Sequence, residues 1–197
     1  MKKLVTICIL LVLMSTGAAN AAITLTFDEL SKQQIDGLSY SGITFGFKVG
    51  GISSTDAVYN GVGPGTLTYL QDPTLEGTTA GILTLDFATP TDQLQFGVAL
   101  SSYYAATPGY VVSLYDPSYQ LIDAYFGNTS PLVVWSEDQF TYSGTLISRA
   151  TIGFNNQVAS RFALDNLTIN PVPAPGAILL SSIGLGLVNW LRRRRTM

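Results

Sequence analysis

Residues 111–125 read V-V-S-L-Y, D-P-S, Y-Q-L-I-D-A-Y, and this stretch decides the fold class. Both flanking runs are β-branched or aromatic with polar residues interleaved, which suits a pleated, half-buried surface. Between them Asp116 followed by Pro117 has the chemistry of a type I turn: the aspartate can accept from backbone donors and the proline presets φ. A connection this short makes the two strands antiparallel neighbours. The same grammar continues in both directions, with short alternating segments rich in Val, Ile, Thr, Tyr and Phe broken by Gly, Pro, Asp and Ser. It predicts strands near residues 23–27, 42–49, 57–60, 67–70, 82–87, 93–100, 110–115, 121–126, 131–135, 140–142, 147–154 and 161–169. No long helix is written there, and no fixed period supports a solenoid. The expected class is all-β: an antiparallel β-sandwich, jelly-roll rather than propeller.

In the last of these strands, R-F-A-L-D-N-L-T-I, Phe162 and Leu164 have one parity while Leu167 and Ile169 have the other. Alternation breaks at Asp165-Asn166, as a β-bulge or a strand covered on both faces would require.

Charge narrows the partners. Residues 22–170 hold four positive side chains, Lys32, Lys48, Arg149 and Arg161, against all 13 Asp and Glu, a net of −9. A domain so charged repels phosphate backbones, so no nucleic-acid partner is expected, whereas divalent cations or neutral polymers suit it. The chain has no histidine, and its single cysteine, Cys8, precedes this region. Ser-His-Asp and Cys-His catalysis and imidazole or thiolate metal sites are thereby excluded from it. Carboxylate chemistry of the glycosidase kind would have to draw on Asp28, Glu29, Asp72, Glu76, Glu137 and Asp138. No motif selects a pair, and adjacent carboxylates on a strand point to opposite faces, so these read as turn carboxylates and no enzyme is expected. G-V-G-P-G, residues 61–65, has no Lys-Ser or Lys-Thr after it and is not a phosphate loop.

Two constellations suggest binding. Asp28 follows the first strand and Asp165 lies in the last, and such strands often neighbour one another in a jelly-roll, which makes the pair candidate ligands for a structural calcium ion, an oxygen-seeking cation. The competing reading has Asp28 beginning a turn and Asp165 satisfying backbone donors at the bulge. No other cofactor is expected. The stretch S-S-Y-Y-A-A-T-P-G-Y, residues 101–110, places Tyr103, Tyr104 and Tyr110 between two strands as candidate glycan contacts, since a tyrosine ring offers a flat apolar face with a polar tip. Local packing is the competing reading.

The ends are of another kind. Residues 1–21, with Lys2 and Lys3, an apolar core and S-T-G-A-A-N-A, read as a secretory signal helix cleaved between Ala21 and Ala22, implying the Sec translocon and signal peptidase as partners. Residues 171–197 carry Pro171, Val172, Pro173, Ala174 and Pro175, an apolar run of 15 residues, and Arg192, Arg193, Arg194 and Arg195. A helix of that length spans ~22 Å, short of the ~30 Å hydrocarbon core, so Trp190 and the arginines must help it cross, with the arginines on the cytoplasmic side.

This tail resembles the sorting signal of the PEP-CTERM family of exported bacterial proteins, differing at Ala174, where that family usually has glutamate. The resemblance implies processing by the membrane protease-transpeptidase exosortase. It also implies that the C-terminal helix anchors the protein transiently in the inner membrane, with delivery then to the cell surface or extracellular polysaccharide, the setting of a biofilm matrix. T-F-D-E-L, S-Y-S-G-I-T-F, L-Q-F-G-V-A-L and F-A-L-D-N-L look like the β-sandwich ectodomains of such proteins, which are similar to carbohydrate-binding modules. The expectation is therefore a non-enzymatic, polysaccharide-associated binding or structural module. A secreted carbohydrate-active enzyme and a self-associating surface protein are the alternatives.

Overall fold

The computed structural model describes residues 21–172, so the expected signal helix over residues 1–20 and the expected membrane helix, with Pro173, Ala174, Pro175 and Arg192 to Arg195, lie outside the described residues. Ala21 and Ala22 are exposed ahead of the first strand, and Val172 is half-buried just past the last.

Alternation builds the core. Along β4 (Ile43–Val49) the residues Ile43, Phe45 and Phe47 are buried while Thr44 and Lys48 are exposed. The same period of two runs through the early part of β8 (Gly81–Leu100), through β9 (Ala106–Tyr115) and through the late part of β11 (Ser136–Phe154). The remaining strands are β1 (Ile23–Leu25), β2 (Gln33–Gln34), β3 (Ser39–Tyr40), β5 (Ile52–Ser53), β6 (Val58–Gly61), β7 (Thr74–Thr78), β10 (Leu121–Pro131) and β12 (Arg161–Pro171). Every pairing among them is antiparallel.

Two strands of unusual length, β8 with 20 residues and β11 with 19, serve both layers of the sandwich. Their early and late parts are paired throughout, from Ser136 opposite Leu100 to Gly153 opposite Ile82, with register breaks between Ser143 and Arg149. One layer runs β4, early β8, late β11, β9, β10. The other runs early β11, late β8, β12, with β1 and β7 against β12 and β6 and β2 beyond β7. Side chains show that the long strands arch back over themselves. Phe47, beside the start of β8, meets Phe162, beside its end, with ring centroids 6.0 Å apart. Phe154 at the end of β11 stacks on the same ring at 3.9 Å, and Phe96 meets Tyr110 at 6.4 Å.

The arch fixes which loops share an end. One end gathers both tips of β8 and β11 together with residues 101–105, 132–135 and 155–160. The other holds the bends, the turn after Tyr115, the start of β1 and the end of β12, where Ile23 lies opposite Ile169 and Pro171 opposite Thr91. Both ends of the domain chain therefore leave from the side opposite the loop cluster.

The hairpin expected over residues 111–125 is present: Tyr115 lies opposite Leu121 and Tyr125 opposite Val112. Its turn closes through Tyr119 N–H to Asp116 O at 2.9 Å, and the Asp116 carboxylate accepts from Ser118 and Gln120. The β12 register also shifts between Asp165 and Thr168, with Asn166 at φ +54°, and Phe162 to Asp165 are all buried, so both a bulge and two-sided cover occur.

Two expected strands are loops. Over residues 67–70, Leu67 N–H turns back to Leu70 O, while Thr68 and Tyr69 donate to the Glu137 carboxylate and Gln71 to Asp165. Alternating apolar residues were present, but side-chain acceptors took the donors a ladder would need. Over residues 132–135 Leu132 N–H bonds Trp135 O in a tight turn, just past Pro131. Conversely, β7 with T-L-E-G-T gave no clean alternation. Its Gly77 is required because an added Cβ would lie 2.8 Å from both Ala57 and the Phe162 ring.

Candidate functional site

The two outer faces of the sandwich differ. Residues 62–73 lie across the β8–β12 layer, where Gly97 lets Tyr69 O approach to 2.3 Å of the position a Cβ would fill. Asn166 Nδ2 donates to Tyr69 O at 3.0 Å, and Glu137 and Asp165 hold the segment from beneath. Among the described residues no segment covers the outer face of the β4–β10 layer in this way, and Ile82 and Phe126 are exposed on it.

On that open face, residues directly opposite in antiparallel pairs point the same way. Lys48 faces Ile82, Ile82 faces Gly153, Gly153 faces Val111 and Val111 faces Phe126, giving one row across five strands. At ~4.8 Å between strands, Ile82 and Phe126 stand about 14 Å apart with the missing side chain of Gly153 between them. The result is a cleft of about 340 Å³ at the loop-bearing end, where the Phe126 side chain is 70% exposed. Asn155 and Asn156 form its polar rim, Thr79 lies buried in its wall with Oγ1 donating to Ala159 O, and among the described residues no charged side chain lines it. Asn155 is set by its own bonds, with Nδ2 donating to Pro108 O at 2.9 Å and N–H donating to Gly109 O. A second, more polar hollow of about 540 Å³ adjoins through Thr79, Ala80 and Asn156 and continues to Ser101, Gln157 and Ser160.

Four residues further along the strands, the same face carries Asp86, Arg149 and Tyr115 in one row. Arg149 and Asp86 form a two-pronged ion pair at 2.6 and 2.9 Å, and the guanidinium lies 4.7 Å over the Tyr119 ring. The small side chains of Thr84, Thr151 and Ser113 occupy the row between.

The residues singled out in the sequence fall in three places. Tyr103 and Tyr104 are exposed on the β8–β9 loop, the latter by 79%, next to Ser101 of the polar hollow. Tyr110 is not on that loop: it lies in β9, its ring buried over Gly127, its hydroxyl donating to Asp138 at 2.8 Å, while the residue also lines the cleft. Burial and then the Asp138 bond push its phenol pKa far above the ordinary range. Alternation would have placed it inward with Val112 and Leu114, and the glycine opposite is what gives its ring room.

Asp28 and Asp165 are the third place. β1 and β12 do pair, and Asp28 accepts from Thr26 Oγ1 at 2.7 Å. Asp165 accepts from Gln71 N–H at 2.9 Å, Asn166 N–H at 2.7 Å and Asn166 Nδ2 at 3.2 Å. Burial, and behind it the charges of Glu29 and Asp28, push Asp165 up to about 6. A cation shared with Asp28 would compete with these donors for the same oxygens. Among the described residues no three His, Cys, Asp or Glu side chains converge on a metal position.

The other carboxylates are tied down singly. Glu29 accepts from Tyr59 OH and Thr26 N–H, Asp72 from Gly63 N–H, and Glu76 pairs with Arg161 at 3.1 Å. Glu137 and Asp138, adjacent on β11, point apart: one toward residues 68–69, the other to Tyr110. Sequence reasoning missed Ile82, Val111, Phe126 and Gly153. The available signal was apolar residues at outward parity in strands whose inward parity was already apolar.

No family model and no curated protein matches the chain. Among solved structures it is similar to the K2 cleaved adhesin domain of Lys-gingipain, with a TM-score of 0.44, 12% identity, 76% of this chain and 97% of that one. It is also similar to a family 29 carbohydrate-binding module (TM-score 0.39, 9% identity, 76% and 88%). A third likeness is to a family 28 module specific for non-crystalline cellulose (TM-score 0.38, 13% identity, 54% and 78%).

Proposed function

We propose that this chain is an exported, non-enzymatic module that binds a neutral polysaccharide in the cleft between Ile82 and Phe126. The observation that carries the proposal is the outward row Ile82, Gly153, Val111, Phe126 at the loop-bearing end of the open face. A sugar ring presents C–H faces that pack on Phe126 and Ile82, and hydroxyls that bond the exposed side-chain amide of Asn156. An uncharged lining in a domain of net charge −9 favours neutral over acidic polymers. The jelly-roll, carbohydrate-binding-module-like architecture belongs to the same proposal.

Full-length chain with Phe126→Ala should bind neutral oligosaccharides at least about tenfold more weakly, ~1.4 kcal/mol, at an unchanged melting temperature. Calorimetric titration checks this. Undiminished affinity would remove the cleft from the proposal, and release of shortened products from the glycan would establish the enzyme alternative.

The delivery half of the proposal rests on the tail. The Sec translocon and signal peptidase act first, and exosortase then removes the helix that holds the protein in the inner membrane, leaving it at the cell surface or in the extracellular matrix. Neutral residues in place of Arg192 to Arg195 take away the charge that fixes the helix's orientation. Unprocessed chain should then pass through the inner membrane with its tail attached. Mass spectrometry of membrane and extracellular fractions reads this directly, and processing identical to the parent's would leave the arginines without a sorting role.

A further inference from the structure

At the end of the sandwich opposite Ile23 and Pro171, two neighbouring loops carry an apolar surface that the cleft does not use. Residues 101–105 connect β8 to β9 and residues 132–135 connect β10 to β11. They are neighbours because Leu100 lies opposite Ser136, Ala106 lies opposite Thr129, and Thr129 Oγ1 and Ser136 Oγ are bonded at 2.7 Å. Tyr103, Tyr104, Leu132, Val133 and Val134 are all exposed, Val133 by 78%. Neither loop contains a charged residue. Trp135 anchors its loop by turning inward onto Leu70, Ala99 and Ala163, so the exposed trio ahead of it is held out by a packed root.

We infer that this tip is a self-association surface that joins two copies of the chain end to end. Three observations select a second copy as the occupant. The surface is apolar without a polar partner pattern, so it complements itself about a two-fold axis. The domain's net charge of −9 makes two copies repel each other over most of their surfaces, and these uncharged loops are where they approach with least repulsion. The first and last strands of the domain, at Ile23 and Pro171, have their outer ends at the far end from these loops, so the tip is formed by these loops and not by the ends of the domain. Five side chains so exposed offer on the order of 500 Å² per copy, and two copies bury about 1,000 Å², the lower bound for a specific contact. Such a contact is weak singly and strong in arrays. Its geometry puts the Ile23 and Pro171 ends of the two domains at opposite extremes of the pair.

The test uses the full chain in a Cys8→Ser background. Val133→Cys should form a disulfide-linked dimer under mild oxidation about tenfold faster than Ser118→Cys, placed at the opposite end, because paired tips hold the thiols at high effective concentration. Beads carrying the full chain by its C-terminus should cluster, and Val133→Asp should abolish clustering while leaving oligosaccharide binding at the cleft unchanged. Equal cross-linking at the two positions, or clustering that survives Val133→Asp, overturns the inference. So does capture of zwitterionic lipid vesicles by beads that do not cluster, which would make the tip a lipid contact.

Discussion

Replacing Phe162 with alanine should lower the free energy of unfolding by about 3–5 kcal/mol, the range for deleting a buried aromatic ring from a core that cannot collapse onto the space. Phe162 is fully buried. Its ring lies flat on Phe154, 3.9 Å away at 10°, with Phe47 on the other layer at 6.0 Å. Gly77 is a glycine because this ring occupies the place of its side chain. The cavity would therefore open between the two layers at the end where both long strands terminate. Urea unfolding of the full chain measures it, with Ile82→Ala, an exposed truncation expected to stay within about 0.5 kcal/mol, as the reference. A loss below ~1 kcal/mol would mean the layers are joined elsewhere.

The second large effect is a dependence on pH. Asp165 has its carboxyl raised to about 6, chiefly by burial, with Glu29 and Asp28 adding to it and the Gln71 and Asn166 donors opposing. A carboxyl whose folded pKa exceeds its unfolded value binds more protons when folded, so stability falls as pH rises between the two values. Acidifying from pH 7 to about 4.5 should therefore stabilise the protein, by roughly 2 kcal/mol from this group. Glu29 works in the other direction: burial raises it, but the Tyr59 hydroxyl and Thr26 donors outweigh burial and hold it below its ordinary value. Its contribution is lost only at lower pH, so stability should peak on the acid side of neutrality. Asp165→Asn should flatten the slope between pH 4.5 and 7, even though its amide nitrogen can no longer accept one of the three N–H bonds. A variant that retains the parent's slope would assign the titration to another group.

Asp165 also shows how far sequence could see. The parity switch at Asp165-Asn166 announced a bulge, and Asp116-Pro117 announced the hairpin, because both are local devices whose chemistry sits within a few residues. The arches of β8 and β11 were invisible: a strand that bends between layers and one that ends before another begins leave the same pattern of two apolar runs with a polar gap. Residues 67–70 carry a strand's local pattern, and the acceptors that make them a loop, Glu137 and Asp165, lie about 70 and 95 positions away. For the site, Tyr103 and Tyr104 were legible as an exposed loop pair, whereas the cleft depends on Gly153 lying between Ile82 and Val111, a matter of register across three strands.

The position of β12 has a mechanical consequence. It lies inside its layer, bonded to β8 on one side and to β1 and β7 on the other, and it leaves the domain at Pro171 while the cleft lies toward the opposite end. If a polymer held in the cleft drags against a chain tethered beyond Pro171, tension runs lengthwise along β12. Its ladders are then loaded in shear, many hydrogen bonds at once, rather than peeled open one after another from an edge. Resistance to such a pull is set by the unfolding barrier rather than by equilibrium stability. A domain of ordinary thermal stability so connected would hold against flow far longer in this direction than if it were pulled through β10.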